Sequence, residues 1–196
     1  MTARSERTRS QIYQAALTEF AEHGIAGARV DRIAEQAQAN KQAIYRYFGD
    51  KEQLFATVLE GTLSELAAAV PPAGPDGTVA AADYVDRLLA YHQSHPEVLR
   101  LLLWEALEYR DRAVPDEAAR AAHYRQKSEA LAGARTPGSE QAKAIDPATL
   151  MLIFTGLVGW PLAVPQVRRM MVGDGPEAME RVRRAAIAAA ELITQA

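Results

Sequence analysis

Residues 30–55 have the sequence VDRIAEQAQANKQAIYRYFGDKEQLF. Apolar residues recur in this segment at the spacing of one helix face, which predicts short helices over residues 30–37 and 41–48. A turn of three residues separates the two helices, and its last residue, Asn40, is a favourable N-cap for the second helix. Two short helices joined this closely are typical of a helix-turn-helix.

The flanking sequence predicts a further helix on each side of this pair. A first helix over residues 5–23 carries one apolar face, and Gly24 follows it as a stop signal. A fourth helix begins after Asp50, which together with Gln53 fits a capping box. The first three helices can bury one another and leave one face of the third exposed, and such a helix fits the DNA major groove.

The rest of the chain is also predicted to be helical, so the fold class is all-α with about nine helices. Loops rich in Pro and Gly separate the elements, and no strand pattern occurs. The five further helices are predicted over residues 78–94, 96–111, 116–133, 147–160 and 176–195. We predict a helix-turn-helix domain at residues 1–50 and a second helical domain at residues 51–196.

Composition and charge limit the classes of function. Of the 196 residues, 48% are hydrophobic and 24% are charged, which is typical of a globular protein. The absence of cysteine excludes disulfides and thiolate metal sites. The net charge is −3, but residues 1–51 hold eight basic and six acidic side chains, so an anionic partner is favoured at this end.

The sequence also argues against secretion, a membrane span and an active site. The polar N-terminus predicts no secretory signal and favours a cytoplasmic location. Residues 147–167 are uncharged, but two prolines interrupt them, which favours a buried helix over a membrane span. His92 and His95 lack a third ligand nearby in sequence, and no common catalytic or phosphate-binding motif occurs. We predict no catalytic residue, no metal and no cofactor.

The third helix, residues 41–48, carries side chains that suit DNA recognition. Lys41 can donate to guanine O6 or N7, and Gln42 can pair with adenine through two hydrogen bonds. Tyr47 and the start of the fourth helix are candidates to bind phosphates. The free amides at that helix start favour an anion, and Lys51 adds a positive charge there.

Residues 44–55, IYRYFGDKEQLF, and the preceding VDRIAEQAQANK resemble the DNA-binding region of TetR/AcrR-type transcriptional regulators. The shared features are an Ile-Ala pair in the second helix, a Tyr-x-x-Phe segment, a Gly/Asx turn and Lys-Glu-x-Leu. The resemblance implies DNA recognition through the helix-turn-helix and small-molecule binding and dimerisation by the C-terminal domain. The predicted DNA-binding residues are Arg29, Asn40, Lys41, Gln42, Tyr45, Arg46, Tyr47 and Lys51.

Three positions depart from the pattern of the family. Arg29 stands where the family usually has threonine, so the hydroxyl cap of the second helix is missing and the guanidinium is free to reach a phosphate. Asp31 stands at a position that is often basic or polar, and its carboxylate would repel phosphate or accept from a cytosine amino group. Gln38 replaces a turn glycine, so any left-handed conformation there carries strain.

Aromatic residues are spread through the apolar helices of the C-terminal part. Residues 97–109 are apolar nearly all round, which is typical of a buried helix, and Glu105 lies among leucines. These side chains either line a pocket for a small apolar or aromatic effector or form ordinary core, and Glu105 either enters that pocket or pairs at the surface. The candidate effector-binding residues are Tyr84, Tyr91, Leu101, Trp104, Glu105, Tyr124, Phe154 and Trp160.

The last predicted helix carries small residues along one side, which allow close helix packing. Together with residues 147–160 it either forms the self-complementary surface of a two-fold dimer or packs only on its own core. The candidate interface residues are Leu150, Leu157, Val182, Ala186, Ala189 and Ile193.

The resulting hypothesis is a one-component transcriptional regulator, a repressor, that binds a palindromic DNA operator as a homodimer. A small apolar or aromatic effector would release it by binding more tightly to a form that no longer fits DNA. Two alternatives stay open: a DNA-binding protein without an effector and, less favoured, an enzyme on an all-helical scaffold.

Overall fold

A computed structural model describes residues 3–74, 79–131 and 145–195, and over these residues the protein has ten α-helices and no strand. The prediction of an all-α fold is confirmed. The helices are α1 (Ala3–Gly27), α2 (Val30–Gln36), α3 (Lys41–Phe48), α4 (Lys51–Ala69), α5 (Ala81–Ser94), α6 (Pro96–Tyr109), α7 (Glu117–Leu131), α8 (Pro147–Ala163), α9 (Pro165–Val172) and α10 (Pro176–Gln195). The last two residues of the helix predicted over 116–133 lie outside the described residues.

Gly24 interrupts α1, as its stop signal predicts. Its backbone has φ 67° and ψ −176°, so the regular helix stops there and only a short turn continues to Gly27. A Cβ atom at Gly24 would lie 2.6 Å from the ring of Trp104 on α6. The indole Nε1 of Trp104 and Nε of Arg100 donate to the carbonyl of Ala21, at 3.3 and 2.8 Å. Both the backbone conformation and the close approach of α6 require glycine here.

The described helices form two compact units, and neither is a continuous stretch of chain. The first unit comprises Met1–Glu65 and Glu97–Glu117, and the second comprises Leu66–Pro96 and Ala118–Ala196. Helix α6 therefore belongs, apart from its first residue, to the unit that contains the predicted helix-turn-helix. The predicted boundary at residue 50 between the helix-turn-helix domain and the second helical domain stays a prediction.

The core of the first unit lies between α1, α2, α3, the first part of α4 and α6. Phe20 and Phe55 pack edge to face with ring centroids 5.2 Å apart. The apolar faces predicted for the first three helices are the buried ones. Large side chains of this core include Ile12, Phe20, Ile33, Ile44, Phe48, Leu54, Phe55 and Leu101. This packing fixes α3 and leaves its opposite face to solvent.

The core of the second unit lies mainly between α5, α8 and α10. Large buried side chains of this core include Tyr84, Leu89, Leu131, Leu150 and Phe154. At its edge the guanidinium of Arg183 on α10 donates to both carboxylate oxygens of Asp86 on α5, at 2.5 and 2.7 Å. This double hydrogen bond aligns the two helices that make up much of the core.

Helix α9 is a tenth helix, which was not among the predicted ones. Pro161 and Pro165 were expected to interrupt the helix that begins at residue 147, but Pro161 lies inside α8 and Pro165 begins α9. Proline is tolerated at the first helical position because its missing N–H has no helical partner there. No single helix among the described residues meets the length and hydropathy needed to cross a membrane; α8 and α9 meet them only together, bent by 86°.

Candidate nucleic-acid interface

The turn between α2 and α3 is held by backbone and side-chain hydrogen bonds. The Ala39 N–H donates to the Ala34 carbonyl at 2.9 Å, and Gln38 between the helices has φ 51°. Asn40 caps α3, as predicted, by accepting from the Ala43 N–H at 2.7 Å. Gln38 thus adopts the left-handed conformation for which the family pattern has glycine, at a cost of about 1 kcal/mol. The orientation of α3 against α2 depends on this turn.

Helix α3 separates a buried face from an exposed one. Ala43, Ile44 and Phe48 are buried in the core of the first unit. The exposed side chains of the helix are Lys41, Gln42, Tyr45 and Arg46. The structure therefore brings four of the predicted DNA-binding residues onto one helix face, with hydrogen-bond donors at its N-terminal end. This is the arrangement that side chains need to reach base edges in the major groove.

Lys41 and Asp31 are in contact across the two helices. The ammonium group of Lys41 forms an ion pair with the carboxylate of Asp31, and both side chains are more than half exposed. The hydrogen bond that Lys41 donates to the Asp31 carboxylate raises the pKa of Lys41, so the ammonium group stays charged. The acidic residue that departs from the family pattern is therefore placed beside a basic residue of the exposed α3 face.

Tyr47 joins α3 to the beginning of α1. Its hydroxyl shares a hydrogen bond of 3.0 Å with Ser5, and this bond lowers the pKa of Tyr47. The guanidinium of Arg46 lies over the Tyr47 ring, 4.9 Å from its centroid. These groups and Arg4 line a surface depression of about 380 Å³. Two guanidinium groups and several hydroxyls around one concave surface suit a phosphate oxygen.

The start of α4 uses its own side chains as a cap. The Gln53 N–H donates to the Asp50 carboxylate at 2.8 Å, and the Asp50 N–H donates to the Gln53 side chain at 3.1 Å. The predicted capping box is confirmed. It also occupies two of the N–H groups that were expected to be free for a phosphate. Lys51, which is half-buried, is then the main group that this helix start offers to an anion.

A buried carboxylate on α1 binds the backbone just before α2, a helix whose N-cap residue, Arg29, makes no side-chain capping hydrogen bond. Glu19 is 5% exposed and accepts from the Arg29 N–H at 2.8 Å. It also accepts from Nε of Arg32 at 2.9 Å, and Arg32 in turn donates to the Gly27 carbonyl at 3.0 Å. Burial disfavours ionisation of Glu19, but the hydrogen bonds from Arg32 and the Arg29 N–H prevail and lower its pKa. The side chain of Arg29 remains exposed on the outside.

Glu19 is a residue that sequence reasoning missed. Its position gave a signal, because it lies three residues after Ala16 and seven after Ile12, on the apolar face of α1. A carboxylate on a buried face requires a basic or N–H partner. Arg32 and the open N-terminus of α2 provide both, and so α2 is tied to α1.

The eight candidate effector-binding residues are divided between the two units. Leu101 and Glu105 are buried in the first unit, where the Trp104 ring lies against Gly24. Tyr84 and Phe154 are buried in the second unit, where Tyr84 donates to the sulfur of Met151 at 3.5 Å. Burial raises the pKa of Tyr84 to about 12, so its hydroxyl stays protonated.

The other three candidates lie nearer the surface of the second unit. Tyr91 is half-buried and stacks on His95 with ring centroids 4.3 Å apart. Tyr124 and Trp160 are exposed, the latter by 63%. No group of three metal-binding side chains occurs in the parts of the chain that the structure describes. The effector-binding role of the eight residues stays a prediction.

The candidate dimer residues occupy two kinds of position on α8 and α10. Leu150 and Ala186 are buried in the core of the second unit, and their role in an interface stays a prediction. Leu157, Val182, Ala189 and Ile193 are half-buried at the edge of that core. The outward faces of α8 and α10 carry Leu152, Trp160 and Leu192, each more than 60% exposed.

Comparison with known proteins agrees with this architecture. The model of the bacterial regulatory proteins of the tetR family matches residues 12–58, and that of the tetracyclin repressor-like C-terminal domain matches residues 81–191. A relative from Streptomyces coelicolor, the HTH-type transcriptional repressor SCO4008, is 45% identical over 184 residues, which are 93% of each chain. The chain belongs to the TetR family.

Two further similarities place this TetR-family chain among its relatives. The crystal structure of SCO4942 from Streptomyces coelicolor superposes with a TM-score of 0.74 at 30% identity, covering 95% of this chain and 97% of that one. The HTH-type transcriptional repressor NicS of Pseudomonas putida is 34% identical over 106 residues, 53% of this chain and 50% of NicS. The family consists of transcriptional regulators, so an enzymatic role is not favoured.

The three departures from the TetR pattern each have a structural counterpart. At Arg29 the side chain does not cap α2, and the Arg29 N–H instead donates to the carboxylate of Glu19; at Gln38 the backbone adopts the left-handed conformation without glycine. At Asp31 the carboxylate pairs with Lys41. The first two preserve the helix-turn-helix fold, whereas the third changes the charge pattern of its exposed face.

Proposed function

We propose that this TetR-family chain is a one-component transcriptional repressor that binds a palindromic operator as a homodimer. The observation that carries the proposal is the exposed face of α3, with Lys41, Gln42, Tyr45 and Arg46 held outward by a buried opposite face. The name of the 45% identical relative, a transcriptional repressor, supports the direction of regulation. Such a protein acts on DNA in the cytoplasm.

Two copies are required because one helix-turn-helix contacts too few base pairs to be specific. A two-fold dimer places two copies of α3 in successive major grooves, about 34–36 Å apart, and so reads two half-sites. The outward apolar side chains of α8 and α10, Leu152, Trp160 and Leu192, form a surface that a second copy would cover. The half-buried candidates Leu157 and Ile193 would lie at its edge.

The predicted DNA-binding residues outside the exposed face of α3 have separate roles. Arg29, Tyr47 and Lys51 would bind phosphates and set the position of the protein on the duplex, and Asn40 would hold the turn before α3. A small apolar or aromatic effector would bind the C-terminal domain and lower the affinity for DNA.

The test of operator binding is selection from a random duplex DNA pool with the full-length protein, followed by affinity measurements at two salt concentrations. An enriched palindrome whose half-sites lie about one helical turn apart would support a sequence-reading dimer. Salt-sensitive binding without any enriched sequence would contradict it, because phosphate contacts alone give that behaviour.

Effector binding is tested separately, by thermal unfolding in the presence of a broad set of apolar and aromatic metabolites. A ligand that binds only the folded protein raises its melting temperature with concentration. Stabilisation by one compound, together with release from the selected operator, would support an effector-controlled repressor. A flat response over the whole set would favour the alternative of an effector-independent DNA-binding protein.

A further inference from the structure

Asp31 and Lys41 form a donor–acceptor pair on the exposed side of the helix-turn-helix. Asp31 lies in the first turn of α2 with its side chain 71% exposed, and Lys41 is the first residue of α3 with its side chain 52% exposed. Their contact joins the two helices at the end of α3 from which side chains reach base edges. Tyr45, one turn further along α3, is also exposed and is close enough to Lys41 to affect its pKa.

The Asp31–Lys41 pair has no net charge, whereas the other basic side chain of this face is positively charged. DNA phosphates offer only acceptors, so a carboxylate beside Lys41 opposes the attraction of the ammonium group to the backbone. An exposed ion pair contributes little to folding stability and rearranges easily. Neither backbone affinity nor stability therefore accounts for a carboxylate at this position.

Base edges, in contrast, offer donors and acceptors side by side. In the major groove a G·C pair presents guanine N7 and O6 as acceptors and the cytosine N4 amino group as a neighbouring donor. A lysine suits the two guanine acceptors, and an aspartate suits the cytosine amino group. One contact pair on the protein thus matches one base pair on the DNA.

We propose that Asp31 and Lys41 together read a single G·C base pair in each half-site. Lys41 donates to guanine O6 and N7, and Asp31 accepts from cytosine N4 while it keeps Lys41 in place. This inference rests on the proposed function, because it requires that α3 enters the major groove.

The proposal has a consequence that separates it from ordinary phosphate binding. Removing Asp31 frees a positive charge, so the Asp31→Ala variant gains affinity for non-specific DNA and its log–log salt slope steepens by about one. The same variant loses discrimination at one base pair. Affinity and specificity then change in opposite directions, which a purely repulsive or purely structural carboxylate would not cause.

The experiment uses the full-length protein, the Asp31→Ala and Lys41→Ala variants, and Glu35→Ala as a matched control. Glu35 is an exposed acid one turn further along α2. Sites are first selected from a random duplex pool with each protein. Affinities are then measured for the selected operator with every base pair exchanged in turn, and with 7-deazaguanine or N4-methylcytosine at the G·C pair on which the variants act. These analogues remove the guanine N7 acceptor and obstruct the cytosine amino group, respectively.

For the parent protein, exchange of that G·C pair is expected to cost about 5- to 150-fold in affinity. N4-methylcytosine should weaken binding of the parent and of Glu35→Ala but not of Asp31→Ala, and 7-deazaguanine should not affect Lys41→Ala. Unchanged base preferences in Asp31→Ala, or loss of preference at an A·T pair, would overturn the proposal. If the parent itself selects no sequence, the proposed function fails instead, so the two failures are distinct.

Discussion

Gln38, in the turn before α3, has a backbone φ of 51°, a left-handed conformation that residues with a side chain rarely adopt. Glycine has no Cβ and adopts this conformation freely. We expect Gln38→Gly to raise the free energy of unfolding by about 0.5–1 kcal/mol, since the strain removed exceeds the added chain entropy. Chemical denaturation measures this difference, and DNA affinity should not change.

The exposed Gln36, the last residue of α2, provides the matched control. The same exchange there should lower the free energy of unfolding by about 0.5–1 kcal/mol, because glycine weakens a regular helix. If both glycine variants were destabilised to the same extent, the left-handed conformation of Gln38 would be refuted.

Gly24 is constrained more strongly, because its conformation and its space are both fixed. We expect Gly24→Ala to destabilise the protein by about 2–4 kcal/mol, since the new methyl group meets the Trp104 ring at a backbone conformation that disfavours alanine. Gly27→Ala is the control, because the Cβ there meets only the Cβ of His23 at 3.4 Å. Thermal unfolding of both variants, followed by tryptophan fluorescence, tests the close approach; equal stabilities would contradict it.

Among the helices, α2 depends on α1 through the buried carboxylate of Glu19. We expect Glu19→Gln to lower the free energy of unfolding by about 1–3 kcal/mol at neutral pH, because a charged acceptor of the Arg29 and Arg32 donors is lost. Glu22→Gln, at an exposed position with 60% of its side chain accessible, should have no such effect. Urea denaturation of the three proteins gives the comparison.

The pKa of Glu19 also predicts the direction of a pH effect. Its pKa lies below the ordinary range in the folded protein, so the unfolded chain binds its proton more readily. The stabilisation by Glu19 is therefore present at neutral pH and is lost as the pH falls through the ordinary and then the lowered pKa. Stability of the parent should decrease more steeply with acidification than stability of Glu19→Gln; parallel curves would exclude a charged Glu19.

Helices α3 and α4 are expected to contribute differently to DNA binding. Lys51→Ala should weaken binding to all sequences alike and reduce the salt slope by about one, because the lysine contacts phosphate. Gln42→Ala should relax the preference at particular base pairs and leave the salt slope unchanged. Competition binding against selected and scrambled duplexes distinguishes the two effects. Parental behaviour of both variants would show that α3 is placed wrongly on the DNA.

The sequence predicted local features of the first unit well and long-range features poorly. The bounds of α3, the Asn40 cap and the Asp50–Gln53 capping box follow from residues close together in the chain, and the structure confirms them. The Glu19–Arg29 hydrogen bond joins residues that are ten apart, and the Asp31–Lys41 ion pair joins two separate helices. Such contacts depend on packing, which spacing along one helix does not specify.

The same limit applies to the second unit. A stripe of small and apolar residues on α10 predicts a buried face but not which surface buries it, and Ala186, predicted at a partner interface, is buried in the core of its own chain. Helix α9 was missed because proline ends a helix as readily as it begins one. Aromatic residues likewise predict burial at Phe154 but not exposure at Trp160.

At the scale of the whole molecule, the proposed homodimer predicts a change in mass. Leu152→Glu combined with Leu192→Glu introduces charges into the outward faces of α8 and α10, so the protein should sediment as a monomer and lose most of its affinity for a palindromic operator. Leu107→Glu on α6, at a position that is 65% exposed, is the control and should sediment like the parent. A double variant that sediments like a dimeric parent would place the interface elsewhere.

The first unit is assembled from two separate segments of chain, which bears on the engineering of hybrid regulators. Helix α6 contributes Leu101 to its core, and its side chains bind the Ala21 carbonyl and pack against Gly24. A hybrid made with a single splice after α3 or α4 would join a foreign α1 to the resident α6 and mismatch both the close contact of Gly24 with Trp104 and the donors to the Ala21 carbonyl. Transplanting the DNA-recognition specificity into another family member should therefore carry residues 97–117 together with residues 1–65.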